Sequence, residues 1–243
     1  MSKKQRLDHR VSQMMPQYSK RQIQSWIMQG KVVVDKQIIT KPGHPVGPDA
    51  SISVDAQVPK YVSRAGVKLE KALEHFHIDV SNLVVLDAGI STGGFTDCLL
   101  QHGVRKVYGI DVGYGQVHEK IQPDDRVEIL ERTNLRTLES VGELVDLVTL
   151  DLSFISVLKV MDAVTKLLKP DGKLIVLIKP QFEAERHDVG KGGIIKDPAI
   201  HQKVIDRVVN GIKGHGFSFV GVTDSPIRGG EGNKEFLAYF TRG

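Results

Sequence analysis

The chain has 243 residues, 40% hydrophobic and 26% charged, the balance of a soluble globular protein of one or two domains. No apolar run approaches the ~20 residues that span a bilayer, the first ten residues lack the apolar core of a signal peptide, and a single cysteine, Cys98, excludes internal disulfides, so a cytoplasmic protein is expected. The net charge of +4 hides an asymmetry, because residues 1–60 carry ten Lys or Arg against four Asp or Glu while residues 61–243 carry 23 against 25; a basic small module of this kind fits contact with a polyanion.

Residues 1–58 are expected to form a small domain of their own. Arg6 to Met15 has a helical pattern that stops before Pro16. Ser19 is a good N-cap for a second helix through Gln29, with Ile23, Trp26 and Ile27 on one face, and Gly30 ends it. Trp26 is expected in the core rather than stacked on a base. Lys31 to Val34 and Gln37 to Thr40 read as short strands about an Asp35-Lys36 turn. A proline- and glycine-rich loop, Lys41 to Pro48, precedes a last strand at Ser51 to Val54. The order Arg-Leu-Asp, Ser-Lys-Arg-Gln-Ile and Gly-Lys-Val-Val-Val-Asp-Lys resembles the RNA-binding module named after ribosomal protein S4. That resemblance implies RNA phosphates at Lys20 and Arg21, with Arg6 and Lys31 as further RNA-binding candidates. A cation at a helix N-terminus is physically a good phosphate site.

Residues 59–62 read as a short connector that keeps the two domains close, and residues 63–243 as the second domain. Ser63 is placed to cap a helix running to about Phe76, whose apolar stripe is Leu69, Ala72, Leu73 and Phe76, with Lys68 at its border. From Leu83 onward strands alternate with helical patterns, near 83–87, 106–111, 127–131, 146–151 and 173–179. Leu83 to Leu86 is wholly apolar, which is how a parallel strand buried on both faces reads.

The first of these strands ends at Asp87 and enters Gly89 to Gly94, then a helical stretch from Phe95 to His102. Strand, glycine turn and helix make a nucleotide-binding corner. The dinucleotide fingerprint fails because Ser91 stands where its second glycine belongs, and the P-loop fails because Phe95 replaces its lysine. What remains, D-x-G-x-x-x-G-G, resembles the S-adenosylmethionine (SAM) corner of Rossmann-like methyltransferases, which makes Asp87, Gly89, Ser91, Gly93, Gly94 and Phe95 candidates for cofactor binding. Asp111 closes the next strand, where a carboxylate holds a ribose diol. In the same fold Asn134 and Leu135 fall beside the adenine.

The fourth strand runs into Asp151-Leu152-Ser153-Phe154, beside the cofactor. Amino-methylating enzymes usually carry D/N-P-P-[YF] here, and the missing Pro-Pro argues against methylation of a base. Lys179 ends the next buried strand and points into the ligand crevice, an expensive place for an idle charge. Gly190 to Gly193 is a flexible loop, Asp197-Pro198 starts a helix through about Lys213, and two final strands, Phe217 to Val222 and Lys234 to Thr241, flank a glycine-rich loop beside Glu235. The nine histidines show no metal-binding spacing, so no metal is expected.

Taken together, Tyr61-Val62-Ser63-Arg64 with Lys68-Leu69, the Asp87–Thr96 corner, Asp151 to Ser156, Lys179 to Glu183, Gly190-Lys191-Gly192 and Gly232 to Glu235 resemble the FtsJ-like RNA 2′-O-methyltransferases. With the N-terminal module, the chain is similar to the TlyA-type ribosomal RNA methyltransferases, often labelled haemolysin A. The resemblance implies a Rossmann-like α/β fold (a mostly parallel sheet with helices on both faces) behind a small α+β RNA-binding domain, SAM as cofactor, ribosomal RNA or ribosomal subunits as partner, and a catalytic set of Lys68, Asp151, Lys179 and Glu235. In that set Lys179 is the expected base. A lysine's ordinary pKa is ~10.4, and Lys68 is expected to be the cation that lowers it, with Asp151 and Glu235 holding the geometry. The rival readings are a base methyltransferase, an RNA-binding protein without catalysis, and a haemolytic membrane protein.

Overall fold

A computed structural model describes residues 4–55 and 59–243, which pack as two units divided between residues 58 and 59. The end of the predicted first domain, residues 56–58, lies outside the described residues.

In the first unit a two-residue strand β1 (Gln5–Arg6) leads into α1 (Leu7–Met14) and α2 (Lys20–Met28), followed by β2 (Val32–Val34), β3 (Gln37–Ile38), β4 (Pro45–Val46) and β5 (Ile52–Val54). Ser19 caps α2 as predicted, in a reciprocal arrangement: its hydroxyl accepts the Gln22 N–H, and the Gln22 side chain accepts the Ser19 N–H. Asp35 and Lys36 both take positive φ, which closes the tight β2–β3 hairpin. Leu7, Val11, Ile23, Trp26, Ile27, Val32, Val34 and Val46 form the core, with Tyr18 edge-on to Trp26 at 4.9 Å. The segment predicted as loop, Lys41 to Pro48, contains β4, which pairs antiparallel with β1. Two-residue strands carry no periodicity, so neither was legible in advance.

The second unit contains α3 (Ala65–His75), β6 (Val84–Ala88), α4 (Gly94–Gln101), β7 (Lys106–Ile110), β8 (Val127–Leu130), β9 (Val145–Leu150), α5 (Met161–Leu167), β10 (Leu168–Ile178), the single turn α6 (Pro180–Glu183), α7 (Pro198–Lys213), β11 (Phe217–Asp224) and β12 (Phe236–Arg242). Seven strands form one sheet in the order β11-β12-β10-β9-β6-β7-β8, parallel except for β12, which runs antiparallel to both neighbours. Alternate residues of the central strands feed two cores. Val84, Leu86, Leu174, Val176 and Phe240 face α5 and α7, while Val85, Val107, Leu147, Ile175 and Leu177 face α3 and α4.

Several expectations need correction. Residues 111–126 and 131–144 contain no α-helix, so the strand–helix alternation is not regular. Gly113, Gly115 and Pro123 interrupt the first of these links, and only a 3₁₀ turn, Leu135–Thr137, breaks the second. Lys169 to Gly172, whose Pro-Asp-Gly would suit a turn, lie within β10 as a register shift between the pairs Leu168/Val145 and Lys173/Leu147. The helix after Ser63 begins only at Ala65, with the Ser63 hydroxyl accepting the Ala65 N–H at 3.3 Å. Tyr61 and Val62, predicted as connector, belong to the second unit: Tyr61 is buried in its core, and the Val62 N–H donates to Asp97 Oδ2 at 2.7 Å.

The chain leaves β6 to one side through β7 and β8, then returns to its other side as β9. Such a switch point opens a crevice at the C-terminal edge of the sheet.

Candidate active site

Where β6, β7 and β9 end, a cavity of about 500 Å³ opens. Gly89, Ser91, Asp111, Asn134, Leu135 and Asp151, all singled out from the sequence, line it. Gly89 must be glycine. Its φ is +86°, and a Cβ would lie 2.5 Å from the Asp151 carbonyl oxygen of the neighbouring strand end. Asp111 holds the turn from the other side, with Oδ2 accepting the Ser91 N–H at 2.9 Å and Oδ1 the Gly113 N–H at 2.7 Å. Each carboxylate oxygen keeps a second lone pair for a ligand hydroxyl. Ile110, Leu135, Leu152, Ile155 and Val160 supply an apolar wall. Asn134 Oδ1 accepts the Arg136 N–H, which fixes the start of the 3₁₀ turn.

Gly94 and Phe95 line a smaller cavity of about 240 Å³ together with Ser63, Arg64 and Lys68; it shares Gly89, Ser91 and Asp151 with the first. Asp87 and Gly93 line neither cavity. Asp87 is wholly buried behind the turn, accepting the hydroxyls of Thr96 at 2.7 Å and Thr149 at 2.8 Å, so it positions the corner instead of facing a ligand. Burial pushes its pKa up to about 6, with the charge of Asp151 adding to that and the two threonine bonds opposing it. The folded pKa lies above the ordinary value of 3.8, so the stability this carboxyl contributes is full below pH 4 and is lost as pH rises through 6. Asp87→Asn, which cannot titrate, should therefore abolish a loss of about 3 kcal/mol between pH 4 and pH 7 in urea unfolding. Identical pH dependence in wild type and variant would refute that.

The four residues of the expected catalytic set all lie at this edge of the sheet, as two ion pairs. Lys68 Nζ, from α3, donates to Glu235 Oε2 at 2.5 Å, and both side chains are buried. Lys179 Nζ, at the end of β10, lies 2.6 Å from Asp151 Oδ1 and donates to Ser153 Oγ at 2.9 Å. The Lys179–Asp151 contact is close but poorly angled, so the buried Oδ1 has no hydrogen-bond donor among the described residues. This corrects the expectation that Lys68 is a cation aimed at Lys179, because each lysine is matched to a carboxylate of its own. Gly229 is fitted around Glu235, since a Cβ there would lie 2.5 Å from Glu235 Oε1.

Other residues received no role from the sequence. Glu183 is buried and accepts the Ser156 hydroxyl at 2.6 Å and the Val157 N–H at 2.7 Å, fastening the segment that follows Asp151 to α6. Burial raises its pKa, against those two bonds. Asn233 is also buried, and bridges two loops by accepting the Ile195 N–H and donating to the Gly193 carbonyl. Val112, Gln116, Thr133, Arg136, Ser153 and Phe154 join the large cavity. Their common signal is position, just past a strand end. Phe154 is 91% exposed at φ +65° and packs on Phe182 at 5.0 Å.

In the first unit Lys20 and Arg21 are exposed on the first turn of α2. Arg6 is partly committed elsewhere, gripping the buried Asp8 through Nε at 3.0 Å and Nη2 at 2.8 Å; Gln24, one turn beyond Lys20 and Arg21, donates to the same carboxylate. Arg6 thus sits beside that face of α2. Lys31 is half-buried after the helix, its backbone tied to Trp26 and Asp55.

The large cavity suits SAM: a carboxylate with spare acceptors for a ribose, an apolar wall for a base, and a glycine turn between them. Asp111→Ala should weaken SAM binding by more than about tenfold, or ~1.4 kcal/mol, in calorimetry. Asp111→Asn should fall between, having lost one acceptor oxygen. An unchanged dissociation constant in both would remove Asp111 from the cofactor site.

Residues 61–242 match the FtsJ-like methyltransferase family and residues 5–52 match the S4 domain. Hemolysin A of Brachyspira hyodysenteriae is 43% identical over 225 residues, covering 91% of this chain and 93% of that protein. The 16S/23S rRNA (cytidine-2′-O)-methyltransferase TlyA of Mycobacterium tuberculosis is 38% identical over 242 residues, covering 98% and 90%. Among solved structures, a Streptococcus thermophilus protein described as a hemolysin superposes with a TM-score of 0.76 at 37% identity, covering 100% of this chain and 90% of that one. The chain therefore belongs to the FtsJ-like, SAM-dependent methyltransferases, as a member of the TlyA/haemolysin A family that carries an S4 domain ahead of its methyltransferase fold.

Proposed function

We propose that this protein methylates the 2′-hydroxyl of a cytidine in ribosomal RNA. The observation that carries this reading is the Lys179–Asp151 contact at the edge of the cofactor cavity, with Lys68 and Glu235 paired beside the adjoining one. A ribose hydroxyl is a poor nucleophile and must give up its proton as it attacks. Lys179 Nζ is the atom assigned to receive that proton, and Asp151 and Ser153 hold it in place. SAM, when bound, supplies an electrophilic methyl on a sulfonium. Lys68 and Glu235 shape the wall against which the ribose lies. The remaining rate acceleration is positioning.

Asp151-Leu152-Ser153-Phe154 lacks the Pro-Pro that fits an exocyclic amine, which favours ribose over base. Among the described residues no helix is long and apolar enough to cross a membrane, and the catalytic geometry supports methyl transfer over the haemolysis in the Brachyspira relative's name. Lys20 and Arg21 are assigned to RNA phosphates. The double variant Lys20→Ala, Arg21→Ala should bind ribosomal RNA more weakly and lower the slope of log K against log salt by about 1.5, with SAM binding unchanged. Equal slopes would take the module off the RNA backbone. The overall reading is tested by mapping ribose methylation in ribosomal RNA from cells with and without this chain. A cytidine that loses its 2′-O-methyl group supports it, and identical maps refute it.

A further inference from the structure

Across the C-terminal edge of the sheet, the strand order sets out three sites in a row. The cofactor cavity lies over β7, β6 and β9, and the two lysine–carboxylate pairs lie around the ends of β9, β10 and β12. Beyond them, toward β12 and β11, a third cavity of about 450 Å³ opens between the loop after α6 and the loop before β12. Lys196, Arg228, Lys234 and His201 line it, and no acidic residue does among the described residues.

These cations are anchored. Lys196 follows Ile195, whose N–H is held by the buried Asn233 and whose carbonyl accepts from His201 Nε2 at 3.1 Å. Arg228 donates through Nη1 to the Gly232 carbonyl at 3.0 Å, leaving the rest of its fork free. Lys234 lies 2.9 Å from the exposed Asp224, which offsets one charge of the three. Glu231, on the same loop, faces Gly193 and stays out of the lining. Lys196 makes no ion pair among the described residues. Ile194, Ile195 and Pro198 add apolar lining, and His201 is fixed edge-on to Phe236 at 5.4 Å.

We propose that this basic cavity holds the phosphodiester backbone of the substrate RNA next to the nucleotide being methylated. The inference rests on the reading of RNA as substrate and on an elementary requirement of the reaction. Displacement at a methyl group is in line, so the attacking oxygen approaches from the side opposite the sulfur. With the cofactor on the β6–β7 side, the acceptor strand comes from the β12–β11 side, where the anchored cations are. The cavity is adjacent to the reacting pairs through the chain itself, because Lys234 precedes Glu235 and Asn233 ties both loops together. Charge, size and place fit a polyanion threading past the catalytic edge.

The test is the full-length double variant Lys196→Gln, Arg228→Gln, assayed for binding to protein-free ribosomal RNA transcripts and to purified ribosomal subunits across a salt series. The expected result is a loss of about tenfold in affinity for both, and a salt slope shallower by about 1.5, as two phosphate contacts require. The SAM dissociation constant should stay within about twofold, which shows that the fold is intact. Should that constant change more, the single variant Lys196→Gln, at an exposed loop position, gives the same reading with half the slope change. Unchanged affinity, weaker affinity with an unchanged slope, or a defect seen on subunits but not on protein-free RNA would each overturn the proposal, the last by assigning the cavity to a ribosomal protein. Wild type that binds no RNA would instead fail the reading of RNA as substrate, and the proposal with it. Because binding is read rather than methyl transfer, methylation of a base in place of ribose would leave the proposal standing.

Discussion

Lys179→Ala should lose methyl transfer by ~10²–10⁴-fold while SAM binds as before, because the amine acts on the hydroxyl and not on the cofactor. Lys179 lies at the end of a strand buried on both faces, with Asp151 and Ser153 as its polar partners. On the proposed assignment, removing the side chain takes away the proton acceptor, while the cofactor cavity, which Lys179 does not line, keeps its lining residues. The informative comparison is Lys179→Arg. A guanidinium can pair with Asp151 but does not give up its proton at working pH, so arginine should be as inactive as alanine at every pH from 6 to 9. Single-turnover methyl transfer with saturating SAM measures this. Arginine retaining near-wild-type turnover would mean that the lysine positions by charge, and the base would have to be sought elsewhere.

The second large effect concerns Lys68 and Glu235. Their side chains are 9% and 2% exposed and 2.5 Å apart, so removing either leaves a buried charge without its partner. Breaking such a pair costs ~3–5 kcal/mol, whereas replacing both partners with apolar residues of similar size is often neutral. Glu235→Leu alone should accordingly unfold at clearly lower urea, and Lys68→Met with Glu235→Leu should recover most of that loss. Activity should not recover, because the wall proposed to hold the ribose would have lost its polar groups. Unfolding midpoints and turnover measured on the wild type and these two variants separate the two effects. A double variant that regains turnover along with stability would show the pair to be structural.

The parts of this molecule that could be read in the sequence are those dictated over short range. Ser19 and Gln22, three residues apart, announce a helix start, and the Asp87–Gly94 corner announces itself by glycines whose spacing a tight turn imposes. The place of Asp111 in the cavity lining was readable because it closes a strand at the C-terminal edge of the sheet. What escaped depends on tertiary pairing. Lys68 and Glu235 stand 167 residues apart, and no spacing rule says that they meet each other instead of meeting Lys179 and Asp151. For the same reason the expected electrostatic role of Lys68 did not survive. Asp87 was assigned to the cofactor from the corner's pattern, whereas its depth behind the turn depends on Thr149 from another strand. The helix-free links at 111–126 and 131–144 show the opposite failure, in which regular alternation of strands suggested helices that the glycines of the first link do not support. The basic cavity is built from two loops and the start of a helix, none of which looks charged enough in isolation to mark a site.

Whether the acceptor is a ribose oxygen is read by following the methyl group itself. Ribosomal RNA incubated with this protein and SAM carrying a deuterated methyl, then digested to nucleosides and resolved by mass spectrometry, should place the label on the sugar of cytidine, where it stays with the ribose fragment when the glycosidic bond breaks. Label that leaves with the base, or no label in any nucleoside while SAM is bound, would contradict a ribose acceptor.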